Sequence, residues 1–222
     1  VAFLGKAGFS RIVLERGLTA EQMEEICRAT DREIEAFVHG AICVCGSGRC
    51  YMSRSLSHRS GNRGECSQPC RQRYDLLDKD GNEILDDNGQ PIHQRYLLSL
   101  QDMDRSLYLA EMIEAGVTTF KIEGRLKDHD YVTNIVAYYR QLLDQLIDSN
   151  QYLQSSSIKS IYQYNFAPNP AKTFHRGKTD YFLHGRTTNM ANWQTPKSTG
   201  EKIGKVVATK HNALLVELEN GI

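Results

Sequence analysis

Apolar and polar residues alternate in short bursts along the first half of the chain, and most bursts are followed by a stretch with helical spacing. Residues 11–15 (RIVLE) read as a strand. Leu18 and Thr19 then open a helix: Thr19 and Gln22 stand at capping-box spacing, Leu18 and Met23 can form a hydrophobic staple, and Met23, Ile26 and Cys27 share a face. A second strand is predicted over 33–39, with Glu35, Phe37 and His39 alternating onto one face and Ile34, Ala36 and Val38 onto the other. The pattern then predicts a third strand over 96–100, a helix over 104–114 stopped by Gly116, and a fourth strand over 117–123. The longest helix starts near Asp128 and sets Tyr131, Ile135, Tyr138, Tyr139, Leu142 and Leu146 in one stripe, which suits packing on a sheet. Strands alternating with helices predict an α/β fold with a parallel sheet.

Between the second and third predicted strands lies an insertion, residues 40–95, whose first half is rich in Gly, Ser, Arg and Cys. Loops of this length carry function or are disordered. Its second half holds Asp78-Lys79-Asp80-Gly81 and Asp87-Asn88-Gly89 turn signals around short alternating runs, which predict a small hairpin. After the long helix come a polar stretch over 150–160 and an irregular segment over 165–199 that reads as connector or covering loop. Residues 205–218 are strand-like, with no evident partner strands. Beginning at Val1 and stopping at Ile222 inside that pattern, the chain reads as a fragment of a longer protein.

Composition then works by exclusion. With 222 residues, 40% hydrophobic and 24% charged, the chain is neither fibrous nor disordered, and no apolar run approaches the length of a bilayer span, so no membrane partner is expected. Lys plus Arg and Asp plus Glu both total 27, so any affinity for nucleic acid has to come from a local patch. Six cysteines without a signal peptide point to a reducing compartment, the cytoplasm, where thiols are catalytic, metal-binding or buried.

Four of those cysteines, Cys43, Cys50, Cys66 and Cys70, fall in the insertion at intervals of six, fifteen and three residues. Four thiolates suit a tetrahedral zinc or an iron-sulfur cluster. Only Cys66 and Cys70 approach a zinc knuckle, while the wide first pair encloses Gly46 and Gly48, more like a cluster-binding loop; zinc and a metal-free loop stay open. Cys27, on the apolar face of the first helix, reads as a buried structural thiol. Cys45 reads as a spare ligand, a redox thiol or a small filler. The same loop carries Arg49, Arg54, Arg59, Arg63, Arg71 and Arg73 against the single acid Glu65, beside Tyr51 and Tyr74. Guanidinium groups pair with phosphates and stack on bases, so the cluster fits a polyanion such as RNA. Balancing the charge of a thiolate cluster would explain the same arginines.

The run EAFVHGAICVCGSGRCYMS, from Glu35 to Ser53, resembles the signature of the collagenase-like peptidase family, peptidase family U-32, with Glu35, Phe37, Gly40-Ala41, Cys43, Gly48, Cys50 and Ser53 on its pattern positions. Further similarity runs through NRGECSQPCR, LLSLQDM and FKIEGRLK and to segments near Phe166 and Thr195; Cys45-Gly46 departs from the pattern and adds a thiol. Despite the family name, the members this chain looks most like hydroxylate RNA, one branch making 5-hydroxycytidine in 23S ribosomal RNA and a sister branch acting on tRNA uridine. The resemblance implies that Cys43, Cys50, Cys66 and Cys70 ligate a four-iron four-sulfur (4Fe-4S) cluster, with prephenate as a small carboxylate hydroxyl donor and ribosomal RNA as partner. It also implies the second half of a TIM-like (β/α) barrel over 1–150 with the Cys-rich insertion at 40–95, connector and covering loops over 151–198, and the start of a C-terminal β domain over 199–222.

In such barrels the chemistry sits at the C-terminal ends of strands, which here present Glu15-Arg16, His39, Gln101-Asp102 and Glu123 to Arg125. His39, Glu123 and Arg125 are the candidate catalytic residues, for orienting a donor or moving protons, and Arg16 or Arg125 would take its carboxylates. A peptidase has less support: H-E-x-x-H and G-x-S-x-G are absent, leaving only Cys45 with His39 as a thiol nucleophile and base. A third class is a non-catalytic RNA-binding scaffold pinned by structural zinc.

Overall fold

A computed structural model describes residues 1–149 and 164–219. A short helix α1 (Ala2–Lys6) precedes β1 (Arg11–Val13), α2 (Ala20–Arg28) and β2 (Glu33–Gly40). The capping box forms as its spacing requires: Thr19 Oγ1 accepts from Gln22 N at 3.2 Å, and Gln22 Oε1 accepts from Thr19 N at 3.0 Å. Within the insertion lie α3 (Met52–Ser57) and two single 3₁₀ turns. Then come β3 (Asp102–Asp104), α4 (Leu109–Glu114), β4 (Thr119–Ile122) and the long α5 (His129–Asp148), whose Asp128 cap accepts from Tyr131 N at 2.8 Å. The two residues of β5 (Lys178–Thr179) and a separate two-stranded ribbon, β6 (Gly204–Lys210) with β7 (Ala213–Leu218), complete the described elements.

The fold is mixed α/β. β2 is the centre of its sheet, flanked in parallel by β1 and β4. At its C-terminal end β2 pairs with Ile122 through one edge of His39 and with Asp104 through the other, so β3 takes over the edge that β1 leaves after Val13. β3 runs antiparallel to β2 and carries β5 parallel on its far side.

This corrects the expected third strand. Residues 96–100 form a turn, with Ser99 N donating to Tyr96 O, and the strand begins at Asp102. Two causes act together. The chain returns from β2 through an insertion instead of a crossover helix, which permits antiparallel pairing. The Leu97-Leu98 run, moreover, is flanked by irregular pairings, Tyr96 N donating to Trp193 O and Leu100 bridging to Ala191. The helix expected from 104 starts later, as a 3₁₀ turn over Ser106–Tyr108 that passes into α4.

In the second half of the insertion the expected hairpin becomes three linked bridges, Tyr74 to Arg95, Leu77 to Glu83 and Leu85 to Pro91. Both turns close on an aspartate: Asp78 Oδ1 accepts from the amides of Asp80 and Asn82, and Asp86 Oδ1 from those of Asn88 and Gln90. The strand-like run over 205–218 is a hairpin pairing with itself. The polar connector expected over 150–160 lies outside the described residues.

The core sits between the sheet and its helices. Ile34, Ala36 and Val38 of β2 meet Met23 of α2, Met112 of α4 and the Tyr131, Ile135 and Tyr139 stripe of α5. Gly116 ends α4 at φ +93°, and a Cβ there would stand 2.7 Å from that of Cys27, so one residue supplies both the left-handed turn and the close approach of α4 to α2. No helix among the described residues is long and apolar enough to cross a membrane. Ile135 is fully buried at the centre of this contact, so Ile135→Ala is expected to cost about 2–5 kcal/mol in a denaturant titration.

Candidate active site

The sheet brings the predicted strand ends together, with one change of face. Phe37 pairs with Lys121 and His39 with Ile122, so Val38 is an extra residue, a β-bulge that breaks the alternation. Glu35 and Phe37 stay on the face expected for them, where Glu35 bonds Lys121 Nζ at 2.7 Å and Phe37 lies 3.8 Å beneath the Arg16 guanidinium. His39 turns against Tyr131 and Tyr139 of α5, only 5% exposed, its Nδ1 3.2 Å from Tyr139 Oη. Sequence alternation placed it with Glu35 and Phe37; the bulge removes it from them.

Beyond the bulge, Gly40 adopts φ +109°, and a Cβ on it would fall 2.5 Å from the Glu123 carbonyl oxygen. The glycine of the Gly-Ala signature therefore lets the end of β2 press against Glu123. The Glu123 carboxylate is held from two sides, Oε2 by Arg16 at 3.0 Å and Oε1 by the backbone N–H of Arg125 at 3.0 Å. Arg125 in turn donates to Gly64 O at 2.7 Å, two residues before Cys66. Arg16, Glu123 and Arg125 thus form one chain of contacts from the first strand to the cysteine loop.

Ser53, fully buried on α3, accepts from Ser67 N at 3.1 Å and donates to Cys66 Sγ at 3.7 Å, pinning the second half of the cysteine loop to the first. Arg71 fixes the other end: it donates to Ser99 Oγ, Leu100 O and Ile42 O. Burial pulls the Arg71 guanidinium below its usual range, the Arg176 charge adding to the effect. Burial pushes the Cys70 thiol up; the Arg71 charge opposes this, while Cys66, Cys43 and Cys50 reinforce it. Cys45 is raised by burial first, then by its hydrogen bond with Cys50 and the nearby charges of Cys50, Cys70 and Cys43. Five thiols therefore share one neighbourhood, although among the described residues no three His, Cys, Asp or Glu side chains are gathered closely enough to hold a metal ion. Cys27 lies apart, half-buried against the core, where burial raises its thiol.

The six arginines divide. Arg49, Arg54, Arg59 and Arg63 are exposed, Arg73 stacks on Tyr96 at 5.3 Å, and Arg71 spends its donors on the chain's own backbone and Ser99. Tyr51 is open to solvent, whereas the Tyr74 hydroxyl is engaged by Pro69 O at 2.8 Å.

Sequence patterning did not single out several charged groups that hold the site. Asp102, expected at a strand end facing substrate, is buried against Arg176 at 2.8 Å. Arg105 is fully buried and donates to three carbonyls, Asp180 O at 3.1 Å, Arg16 O at 3.1 Å and Phe37 O at 3.4 Å. Burial brings its guanidinium down to about 10, with Asp180 opposing. A single arginine thus ties β2, the loop after β1 and the 180–186 segment together. Two clefts open beside these ties. One of about 580 Å³ lies over Asp104, Tyr138 and Lys178; another of about 470 Å³ lies between Glu15, Arg49, Tyr181, Phe182 and Arg186.

Residues 1–193 match Peptidase family U32, and the chain belongs to that family. It is 44% identical over 205 residues to a 23S rRNA 5-hydroxycytidine synthase of Escherichia coli, covering 92% of this chain and 30% of that protein. It is 38% identical over 144 residues to a tRNA hydroxylation protein of Bacillus subtilis, covering 65% of this chain and 34% of the relative. It is also 35% identical over 144 residues to a collagenase of Porphyromonas gingivalis, covering 60% and 34% respectively. The chain thus spans about a third of the length of the curated relatives it matches. No solved structure gives a significant match.

Two outcomes test this arrangement. Replacing Arg105 with Met takes its donors from three part-buried carbonyls, of which Asp180 O keeps only the 3.4 Å bond from Leu183 N, and is expected to cost about 3 kcal/mol in chemical denaturation. Burial lowers the His39 pKa from 6.5, against the pull of Asp104. The stabilisation linked to neutral His39 is therefore complete above about pH 6.5 and is lost as pH falls through the lower folded value. Asp104 is held below its usual 3.8 despite burial, by Ser106 and His39, so its own loss comes at still lower pH. Thermal melts from pH 7 downward should show the decline, and His39→Gln should flatten its upper part.

Proposed function

We propose that the protein of which this chain is a part hydroxylates a base in RNA, making 5-hydroxycytidine in 23S ribosomal RNA, as an iron-sulfur enzyme. The carrying observation is the contact of Arg125 with both Glu123 and Gly64, which joins the carboxylate and guanidinium groups at the strand ends to the thiol loop. The names of the relatives that hydroxylate rRNA and tRNA support the substrate class. The parallel β1, β2 and β4 with their helices are read as part of the second half of a TIM-like barrel, with the site at its strand ends.

Cys43, Cys50, Cys66 and Cys70 would hold a 4Fe-4S cluster. Their chemistry fits one: soft thiol donors that share a neighbourhood, as Cys70 does with Cys66, Cys43 and Cys50, are what such clusters take. When bound, the group would supply electron transfer. Arg16 and Arg125 are the cations placed to receive the carboxylates of a small donor such as prephenate, and Glu123 is the group between them able to hold or move a proton. His39 would act on this site by fixing the end of β2 through Tyr139 and Asp104. The thiol-peptidase alternative needs His39 against Cys45, and His39 is instead enclosed by Tyr131, Tyr139 and Asp104. Exposed Arg49, Arg54, Arg59 and Arg63 would meet the phosphates.

Anaerobically purified full-length protein is expected to be brown and to contain about four iron and four sulfide per chain. Serine at any of the four cysteines should lower both, and Cys27→Ser should not. Deleting the gene should remove 5-hydroxycytidine from 23S rRNA by mass spectrometry. A colourless zinc protein, or unchanged hydroxycytidine, overturns the reading. Replacing Arg54 and Arg59 together should weaken RNA binding and reduce the slope of log affinity against log salt by about 2.

A further inference from the structure

We propose that the cleft between the 15–17 turn, the 46–49 turn and the aromatic pair Tyr181 and Phe182 seats a single unpaired base bearing an exocyclic amino group, cytosine in preference to uracil. The assignment rests on the RNA reading above and goes on to name the residues and the base chemistry.

Three features converge on this cleft. Tyr181 and Phe182 are stacked, with centroids 4.0 Å apart and planes 19° apart, and both remain partly exposed. Such a pair offers a flat apolar platform, the surface on which splayed-out bases stack. Guanidinium groups flank it: Arg186 sits 5.6 Å over the Phe182 ring, and Arg49 lines the same opening. They are placed to neutralise the phosphates on either side of a flipped nucleotide. The volume of about 470 Å³ lies within the range of small-molecule sites.

The platform is held at a cost. Tyr181 has φ +61°, a left-handed conformation uncommon for an aromatic residue. Strain of this kind persists where the surroundings over-determine it. Here Thr179 Oγ1 accepts from Tyr181 N at 3.0 Å, and Arg105 grips Asp180 O on one wall and Arg16 O on the other. The two walls are therefore set at a fixed spacing by one buried side chain.

Selectivity comes from Glu15. Glu15 lines the cleft; its Oε2 accepts from Gly17 N at 2.6 Å, which fixes the carboxylate, and Oε1 makes no hydrogen bond or ion pair among the described residues. A carboxylate accepts from the amino group of cytosine and repels the carbonyl that uracil carries at the same position. Tyr181 and Val44, the residue between Cys43 and Cys45, both pack against the small cluster of Ile42, Leu100 and Met103, which links this platform to the thiol loop.

The test uses full-length protein and a fixed single-stranded RNA carrying cytosine, uracil or an abasic residue at one position. Cytosine is expected to bind at least about fivefold more tightly than uracil. Removing the base, or Phe182→Ala, should weaken binding about tenfold. Glu15→Gln retains an acceptor for Gly17 N and turns a donor outward, so it should reduce or reverse the preference for cytosine. Photo-crosslinking of unaltered protein with 5-iodocytidine at that position, which keeps the exocyclic amino group, should label Tyr181 or Phe182, a readout that needs no variant to fold. RNA binding that ignores the base, Phe182 and Glu15, with crosslinks elsewhere, overturns the cleft and leaves the RNA reading intact. No RNA binding by the unaltered protein overturns both.

Discussion

Arg105 is the constraint around which the rest of the site is arranged. A guanidinium out of contact with water is tolerable only if its donors are used, and here they are used on carbonyls from three separate parts of the chain. Those carbonyls belong to the bulged part of β2, a strand-to-helix loop and an irregular segment, and no ladder joins the last two to β2. A methylene chain with a planar fork does so at a cost in desolvation, and the return is positional accuracy at the mouth of the sheet. Arg71 and Arg176 repeat the device on a smaller scale, the first fastening the cysteine loop to residues 42 and 99–100, the second fastening β3 to residue 196. Interior arginines here take the place of the ladders that irregular backbone lacks.

The open face of the sheet carries charge of both signs. Arg11 pairs with Glu33 at 2.9 Å, Lys121 with Glu35 at 2.7 Å and Arg16 with Glu123 at 3.0 Å, a sequence of contacts running from the N-terminal to the C-terminal end of the strands. Side chains that pair across neighbouring strands make this face polar without leaving it unbalanced. The opposite face is apolar and covered by α2, α4 and α5. One sheet thus separates an apolar folding surface from a charged one.

The folding surface was the legible part. Periodicity over α2 and α5, the Thr19 capping box and the Gly116 stop all follow from local chemistry and stand in the structure as read. The charged surface was legible in kind only. Glu123 and Arg125 end a strand and meet, and the cysteines gather in one loop, because motif spacing reports neighbours along the chain. What spacing does not report is a contact made across it: Arg105 to Asp180, Asp102 to Arg176, Arg71 to Ser99. The third strand was misplaced for a related reason. The residues around Leu97 and Leu98, namely Tyr96, Ser99 and Leu100, are served by a segment almost a hundred residues later, and the true strand, Asp-Met-Asp, is too short for its alternation to announce it.

The bulge at Val38 gives β2 a phase as well as a length. Before it, odd-numbered residues look toward the charged face; after it, His39 looks toward α5. Losing the extra residue would restore a continuous ladder and leave His39 opposite Ile122 on the α5 side, but it would delete the fully buried Val38 and with it the carbonyl that accepts both from Arg105 N and from Tyr139 Oη, each at 2.9 Å. The extra residue thus turns one main-chain acceptor toward the buried arginine that follows β3 and toward α5 at once, and what is inherited at this point is that acceptor as much as a side chain.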